Sequence, residues 1–357
     1  MLKDWECPME RTDASGNMSR RSAGNRQTNT GITDMNFKLT TLLATAAVAA
    51  SLSSQAVAAT VSTTADQIAH VGGVPIILNA GNAGNATLAY SQGSSFDGVD
   101  PNSLAGAVGA FNVVKLKVRG LQGATVDESS LPDPLSYGEM VRTRIVANLQ
   151  VTGHTIDSVT GQILSIHSSS GIEHTGERIT GALTGGTATV SNLRFDLASG
   201  LVYADLAGTK AAVPWPSPLE GPAVSYDLPN TALWTIGAIA GPTTIDPAAL
   251  ALTGQARIDA FTARGFTFDG TGRFSAQTIL SDLRLTQAGL EFFNNSLGLR
   301  LTGKNAFEQA NDWHGWGTAT LNLSFDVPAV PEPGSYALAG VGLLVVWGAR
   351  RRAPRKV

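Results

Sequence analysis

Two tryptophans in the segment Trp313-His314-Gly315-Trp316-Gly317 are the residues whose type and spacing most suggest ligand binding. Tryptophan has a large flat apolar ring with one N–H donor, and two such rings beside a glycine-rich turn offer a platform for sugar rings. Rings of this size also pack into the edge of a core. The sequence therefore leaves two interpretations of Trp313 and Trp316, a ligand platform and a structural element before the last strand.

The five histidines show no metal-ligand spacing; they are His70, His154, His167, His174 and His314. Zinc sites use patterns such as His-x-x-x-His or combine histidine with cysteine. His167 and His174 lie seven residues apart on a Ser/Gly-rich segment, which is a weak pairing. We interpret the histidines as surface or loop residues, and the sequence predicts no metal site and no cofactor.

Other residues that carry chemistry lack a defining context. The acidic loop Asp97 to Asn102 has oxygens suited to Ca²⁺, but it departs from the EF-hand pattern and contains Pro101, which favours a solvated turn. Gly81 to Gly84 lacks the Gly-Lys-Ser/Thr ending of a phosphate loop. Ser165 and Ser168 lie outside any Gly-x-Ser-x-Gly motif. The sequence thus predicts no catalytic residue, and an enzymatic activity is the less favoured interpretation.

Apolar residues of the central region recur with period two, which is typical of half-buried strands. Gly, Asn, Asp, Ser and Pro clusters between these segments read as turns. We find no amphipathic helix of three turns or more and predict an all-β, sandwich-like domain. The candidate strands are Phe111 to Val118, Val141 to Val151, Thr187 to Leu197, Leu201 to Leu206, Gln255 to Phe261, Gly272 to Leu285, Leu297 to Thr302 and Thr318 to Val327.

A short internal similarity suggests two related β modules. Thr189 to Leu201 (TVSNLRFDLASGL) aligns with Ile279 to Leu290 (ILSDLRLTQAGL), and both share Ser-Asn/Asp-Leu-Arg. Ordinary strand-turn-strand chemistry accounts for the similarity equally well. The proline-rich stretch Pro214 to Pro218 is the candidate boundary, which divides the domain at residues 59–329 into possible halves of about 59–213 and 223–329.

The segment at residues 35–58 has the three parts of a secretory signal peptide. Lys38 precedes the apolar run Leu39 to Ala50, and Ala56-Val57-Ala58 places small residues where signal peptidase cleaves. The apolar run of about 12 residues is shorter than the roughly 20 that span a bilayer. We predict cleavage before Ala59, with signal peptidase as a processing partner.

Residues 1 to 34 are polar and lack the periodicity of a core. We interpret them as an extension upstream of a true start at Met35, or alternatively as a long disordered leader that is removed.

The C-terminal region at residues 330–357 has three parts in a fixed order. Pro331-Glu332-Pro333 interrupts regular structure, Tyr336 to Ala349 is apolar, and Arg350, Arg351 and Arg352 follow at once. A helix over the apolar part reaches about 21 Å, which is short for a span but sufficient to hold a precursor in the inner membrane. The basic residues then remain cytoplasmic.

This tail resembles the PEP-CTERM sorting tail of Gram-negative bacterial surface proteins. The resemblance implies that a membrane exosortase recognises Pro331, Glu332 and Pro333, that the apolar helix holds the precursor in the membrane, and that Arg350 to Arg352 act as the stop signal. It also implies cleavage near the triplet and delivery to the cell surface or extracellular matrix. The alternative is a plain C-terminal anchor without processing.

Composition argues against thiol chemistry, disulfides and nucleic-acid binding in the mature part of the chain. Cys7, in the leader, is the one cysteine, so the mature part has no thiol nucleophile or disulfide. Outside the two terminal signals the chain has 14 basic and 22 acidic residues, and 14 − 22 gives a net charge of −8. An acidic domain without a basic stripe is a poor candidate for nucleic-acid binding.

Three functions of different classes remain. The first is a non-enzymatic structural or adhesive protein of the cell surface or matrix, in contact with exopolysaccharide. The second is a carbohydrate-binding or carbohydrate-cleaving module, suggested by Trp313 and Trp316. The third is a β domain that binds a small haem-like ligand, which rests on analogy between folds.

Overall fold

A computed structural model describes residues 60–64, 67–79, 83–92, 106–132, 140–214, 217, 219 and 221–328 of the chain. The leader, the predicted signal peptide, the Asp97 to Asn102 loop and the sorting tail lie outside the described residues.

The described chain is mostly β-strand, with five short α-helices and a π-helical turn at Ala310–His314. The strands are β1 (Thr60–Thr64), β2 (Ile68–Val71), β3 (Val74–Asn79), β4 (Ala83–Tyr90), β5 (Lys117–Leu121), β6 (Thr125–Pro132), β7 (Met140–Asp157), β8 (Ile163–Gly176), β9 (Gly186–Asp196), β10 (Leu201–Lys210), β11 (Val224–Thr235), β12 (Ala238–Ala240), β13 (Thr267–Phe268), β14 (Arg273–Leu285) and β15 (Gly317–Asp326). The helices are α1 (Gly106–Val113), α2 (Pro247–Leu250), α3 (Gly254–Thr262), α4 (Gln287–Ser296) and α5 (Leu301–Gln309).

The strands form one large antiparallel sheet whose ends meet. Following the hydrogen bonds, the order β14-β15-β4-β7-β8-β9-β10-β11 returns to β14. The closing pairs are Trp234 with Leu285 and Thr235 with Arg284. The all-β prediction is confirmed, and strands from before and after the proline-rich stretch share this sheet.

Alternation of apolar and polar residues explains β15 directly. Ala319, Leu321, Leu323 and Phe325 are buried, while the residues between them are partly exposed. Strands with this pattern place one face on a core and the other in solvent. The candidates that began at Val141, Thr187, Leu201, Gly272 and Thr318 are confirmed as strands.

The internal similarity corresponds to a shared local geometry. Asn192 in β9 and Asp282 in β14 both have left-handed backbone, with φ of 51° and 52°. Each lies at a shift in strand register, which is a β-bulge. The segments after the bulges differ, because one continues through a turn into β10 and the other into α4. The common Ser-Asn/Asp-Leu-Arg sequence therefore encodes a bulge.

Three strand predictions are wrong. Phe111 to Val118 is mainly the end of α1 and a turn, and Gln255 to Phe261 lies in α3. Leu297 to Thr302 covers the link between α4 and α5 and the first two residues of α5, and buried Leu297 and Leu299 flank a glycine and imitate period two. Helix α1 is buried at six of its eight residues and α3 buries only Phe261, so neither has the single apolar face that a 3.6-residue pattern reveals.

The expectation that helices of three turns are absent is also wrong. Helix α5 continues into the π-helical turn, so residues 301–314 are helical without a break.

Candidate functional site

The structure places Trp313 and Trp316 in different environments. Trp313 lies in the π-helical turn after α5 and is 63% exposed. Trp316 is completely buried. The two rings are therefore not brought together on one exposed face, and of the two it is Trp313 that presents its ring to solvent.

Trp316 is the centre of an aromatic cluster on the buried face of the sheet. Its ring centroid lies 5.5 Å from that of Phe111, 5.5 Å from that of Phe293 and 5.4 Å from that of Phe307. These partners come from α1, α4 and α5. Spacings of this size are typical of edge-to-face and offset aromatic packing. Trp316 thus joins three helices to the start of β15.

Polar contacts fix the turn that carries Trp313. The guanidinium of Arg284 donates to the carbonyls of Asn311 at 3.0 Å and Asp312 at 2.7 Å, and it pairs with Asp282 at 2.9 Å. The side-chain oxygen of Asn311 accepts from the Leu285 N–H at 2.6 Å. The end of β14, just after its bulge, therefore fixes the turn that carries Trp313.

A cleft of about 410 Å³ lies beside this turn. Its lining includes Ser91, Gln92, Asp282, His314 and Thr318. Ser91 donates to the carbonyl of Gly315 at 2.6 Å. The cleft offers hydroxyl, amide, carboxylate and imidazole groups, which suit sugar hydroxyls, and its lining residue His314 directly follows Trp313 in the chain.

His174 is part of the core. Its Nε2 lies 2.9 Å from the Tyr90 hydroxyl and its Nδ1 lies 3.3 Å from the carbonyl of Ala188. Burial lowers the pKa of His174 to about 4, so the ring is neutral at ordinary pH. The interpretation of His174 as a surface or loop residue is wrong, because β8 directs it into the aromatic cluster.

His154 and His167 lie on the adjacent strands β7 and β8. Burial, with a smaller repulsion from His167, lowers the pKa of His154 to about 4. Neither nitrogen of His154 has a hydrogen-bond partner among the described residues. The Nε2 of His167 lies 2.9 Å from the Ser165 hydroxyl and 3.2 Å from the Thr155 hydroxyl. Partial burial lowers the pKa of His167. His154 is therefore a second buried histidine that the surface interpretation missed.

His70 and His314 are exposed, as predicted. No cluster of three or more His, Cys, Asp or Glu side chains suited to a metal occurs within the described residues.

A second cleft, of about 200 Å³, lies between the end of β10, the start of β11 and the α4–α5 link. We call it the basic cleft and define it by the lining cations Lys210, Arg300 and Lys304 with Tyr226 and Asn294. The other lining residues are Thr184, Leu219, Asn295, Gly298 and Leu299. No acidic side chain is among the described residues that line it.

Backbone hydrogen bonds fix the base of the basic cleft. The carbonyl of Gly298 accepts from the Thr184 N–H at 2.8 Å, and the Arg300 N–H donates to the carbonyl of Ala182 at 2.7 Å. Gly298 has φ of +61°, and a Cβ there would collide with the Thr184 hydroxyl. The link needs glycine to turn from α4 into α5 over this strand end.

Sequence reasoning missed the basic cleft because its cations are far apart along the chain. Lys210 ends a strand, whereas Arg300 and Lys304 lie at and just after the start of α5. Each residue alone resembles an ordinary solvated cation. The spacing of Arg300 and Lys304 by one helical turn was a signal, but α5 was assigned in part to a strand.

The comparisons bear on the C-terminal tail. Residues 329–352 match the PEP-CTERM protein-sorting motif. The chain carries a PEP-CTERM sorting tail. The prediction made from Pro331-Glu332-Pro333 and the arginine cluster is confirmed, and the motif supports export, processing by an exosortase and a cell-surface or extracellular destination.

Searches of curated proteins and of solved structures return no match to the chain. Among the described residues, no helix is long and apolar enough to cross a membrane.

Proposed function

We propose that this PEP-CTERM protein is a non-enzymatic structural or adhesive component of the cell surface or extracellular matrix. The observation that carries the proposal is the match of residues 329–352 to a motif that serves surface sorting. Signal peptidase cleaves before Ala59 and removes the signal peptide. The apolar tail then holds the precursor in the inner membrane until exosortase cleaves near Pro331-Glu332-Pro333.

The packing of the domain supports a role for its outer surface. Tyr90, Phe111, Phe293, Phe307 and Trp316 fill the buried face of the closed sheet. A core packed with aromatic rings stabilises the fold without using disulfides. Contacts with exopolysaccharide or with neighbouring proteins are then made by the two surface clefts and by the outward faces of the strands.

Substitution of the sorting triplet tests the proposal. We expect the Pro331→Ala, Glu332→Ala, Pro333→Ala variant to accumulate in the membrane fraction and to weaken the cohesion of the matrix. Pro328→Ala, just outside the matched residues, is the control and should leave both unchanged. Unchanged cohesion in a strain that lacks the protein, or turnover of a polysaccharide by the purified protein, would contradict the proposed role.

A carbohydrate-binding function is the second candidate, and the exposure of Trp313 favours it. Trp313 directly precedes His314, which lines the cleft together with Asp282. If this surface binds sugars, Trp313→Ala lowers retention on a polysaccharide column. Leu131→Ala removes another exposed apolar side chain, 60% exposed, and should have no effect. Equal retention of both variants would remove this candidate.

A further inference from the structure

The charges of the basic cleft are opposite to the charge of the domain. Three cations meet there, in a region of the chain that carries 14 basic and 22 acidic residues. Seven ion pairs elsewhere in the described residues join Lys117, Arg119, Arg142, Arg194, Arg264, Arg273 and Arg284 to carboxylates. Lys210, Arg300 and Lys304 form no such pair with a described carboxylate.

Grouping unpaired cations is unfavourable unless an anion compensates them, because like charges repel. The helix ends at the cleft do not supply that compensation. Helix α4 ends there and α5 begins there, so the negative end of one dipole and the positive end of the other are close together. The excess positive charge of the cleft therefore comes from its three side chains.

The remaining lining groups suit a sugar more than a bare ion. Tyr226 contributes a partly buried aromatic ring, and Asn294 and Asn295 contribute amides. The side-chain oxygen of Asn294 is buried and has no hydrogen-bond partner among the described residues. Side-chain atoms of Trp234, Ser296 and Trp316 in the core are likewise buried without a partner, so the cleft is distinguished by its cations and not by this oxygen. Aromatic rings pack against sugar faces, and amides bond to sugar hydroxyls.

We propose that the basic cleft binds the carboxylate-bearing sugars of an acidic polysaccharide. Arg300 and Lys304 hold the carboxylate, Lys210 adds a third positive charge, and Tyr226 packs against the ring. The volume of about 200 Å³ is below the roughly 300 Å³ at which pockets begin to enclose a drug-sized ligand, so the cleft holds one unit of a longer polymer. This inference rests on the proposed surface role and names the kind of polymer.

The experiment measures binding of oligogalacturonate to the purified full-length chain by calorimetry. Neutral malto-oligosaccharide and inorganic phosphate are the comparison ligands. We expect oligogalacturonate to bind, malto-oligosaccharide not to bind, and affinity to fall as salt rises. Lys210→Ala, Arg300→Ala and Lys304→Ala should each weaken binding about tenfold, as expected for loss of one charge-assisted hydrogen bond. Arg300→Lys should retain part of the affinity.

Lys117→Ala is the matched control, because it also removes one exposed positive charge, from an ion pair with Glu177 that is not among the lining residues of the cleft. It should bind as the unsubstituted chain does. Equal loss in this control would show that only the overall charge matters and would overturn the proposal. So would phosphate binding as tight as that of oligogalacturonate, or unchanged binding by the three cleft variants.

Failure of this test is separable from failure of the surface role. The tail governs sorting, so cleft variants should reach the same fraction of the cell as the unsubstituted protein. A chain that is sorted to the surface but does not bind oligogalacturonate would refute the cleft ligand alone.

Discussion

The aromatic cluster around Trp316 and the basic cleft differ in the kind of side chain that each brings together. In the cluster, rings from three helices and two strands contact one another, and His174 bonds to both Tyr90 and a backbone carbonyl. In the cleft, the three lining cations form no ion pair with a described carboxylate. Buried aromatic packing stabilises the fold, whereas cations that form no ion pair and line a surface cleft are available to a ligand.

Replacement of the two tryptophans gives the largest contrast. Trp316→Ala should lower the free energy of unfolding by about 3–5 kcal/mol, because it leaves a cavity between α1, α4 and α5. Trp313→Ala should change it by less than about 0.5 kcal/mol, since that ring is exposed. Urea unfolding followed by circular dichroism measures both. Similar values for the two variants would contradict the division between core and surface.

Acid should destabilise the core through its buried histidines. The pKa values of His154 and His174 are about 4 in the folded protein, against 6.5 for an unperturbed histidine. The unfolded chain therefore binds these protons at a higher pH, so stability falls as pH drops from about 6.5 to about 4. The loss is about 3 kcal/mol for each histidine.

Unfolding midpoints measured across this pH range test the assignment. His174→Phe should flatten the pH dependence, whereas His70→Gln, at an exposed position, should leave its slope unchanged. A flat profile in the unsubstituted protein would show that the two rings are not held neutral by burial.

Gly298 links the basic cleft to the fold, and its replacement should have a moderate effect. Gly298→Ala requires left-handed backbone at a cost of about 1–2 kcal/mol, and its Cβ also meets the Thr184 hydroxyl. Gly254 has a similar φ of +55° but open space around it, so Gly254→Ala should lower the free energy of unfolding only by the cost of the left-handed backbone. Equal unfolding free energies for the two variants would argue against a closely packed base of the cleft.

The start of α4 should show the smallest effect, and α4 supplies residues to both regions. The Thr286 hydroxyl accepts from the Gly289 N–H at 3.1 Å and donates to the carbonyl of Ala232 at 2.6 Å. Thr286→Ala should cost about 1 kcal/mol. Thr253 begins α3 without a side-chain capping bond, so Thr253→Ala should lower the free energy of unfolding by only about 0.3 kcal/mol. Thermal unfolding that fails to separate these variants would contradict the capping role of Thr286.

The sequence predicted the features that neighbouring residues encode, namely several strands and the sorting tail. The alternation of β15 and the order of Pro331-Glu332-Pro333, apolar segment and arginines are readable from neighbouring residues. Helix α3 was missed because Phe261 is the one buried residue of its nine, which is too few to define a helical face.

The candidate sites depended on tertiary structure. Trp313 and Trp316 are three residues apart, yet one is exposed and the other buried, and only the course of the chain into β15 separates them. Lys210 and Arg300 are brought together by the packing of the α4–α5 link over the end of β10. No local pattern carries that information.

Intact mass and terminal sequencing of the protein from cells and medium, with and without the host exosortase, test the surface-sorting account most directly. The account predicts a species that begins near Ala59 and lacks the residues after Pro333 only when the exosortase is present. A chain with the same intact tail in both strains would contradict exosortase sorting and would leave a membrane-anchored protein in its place.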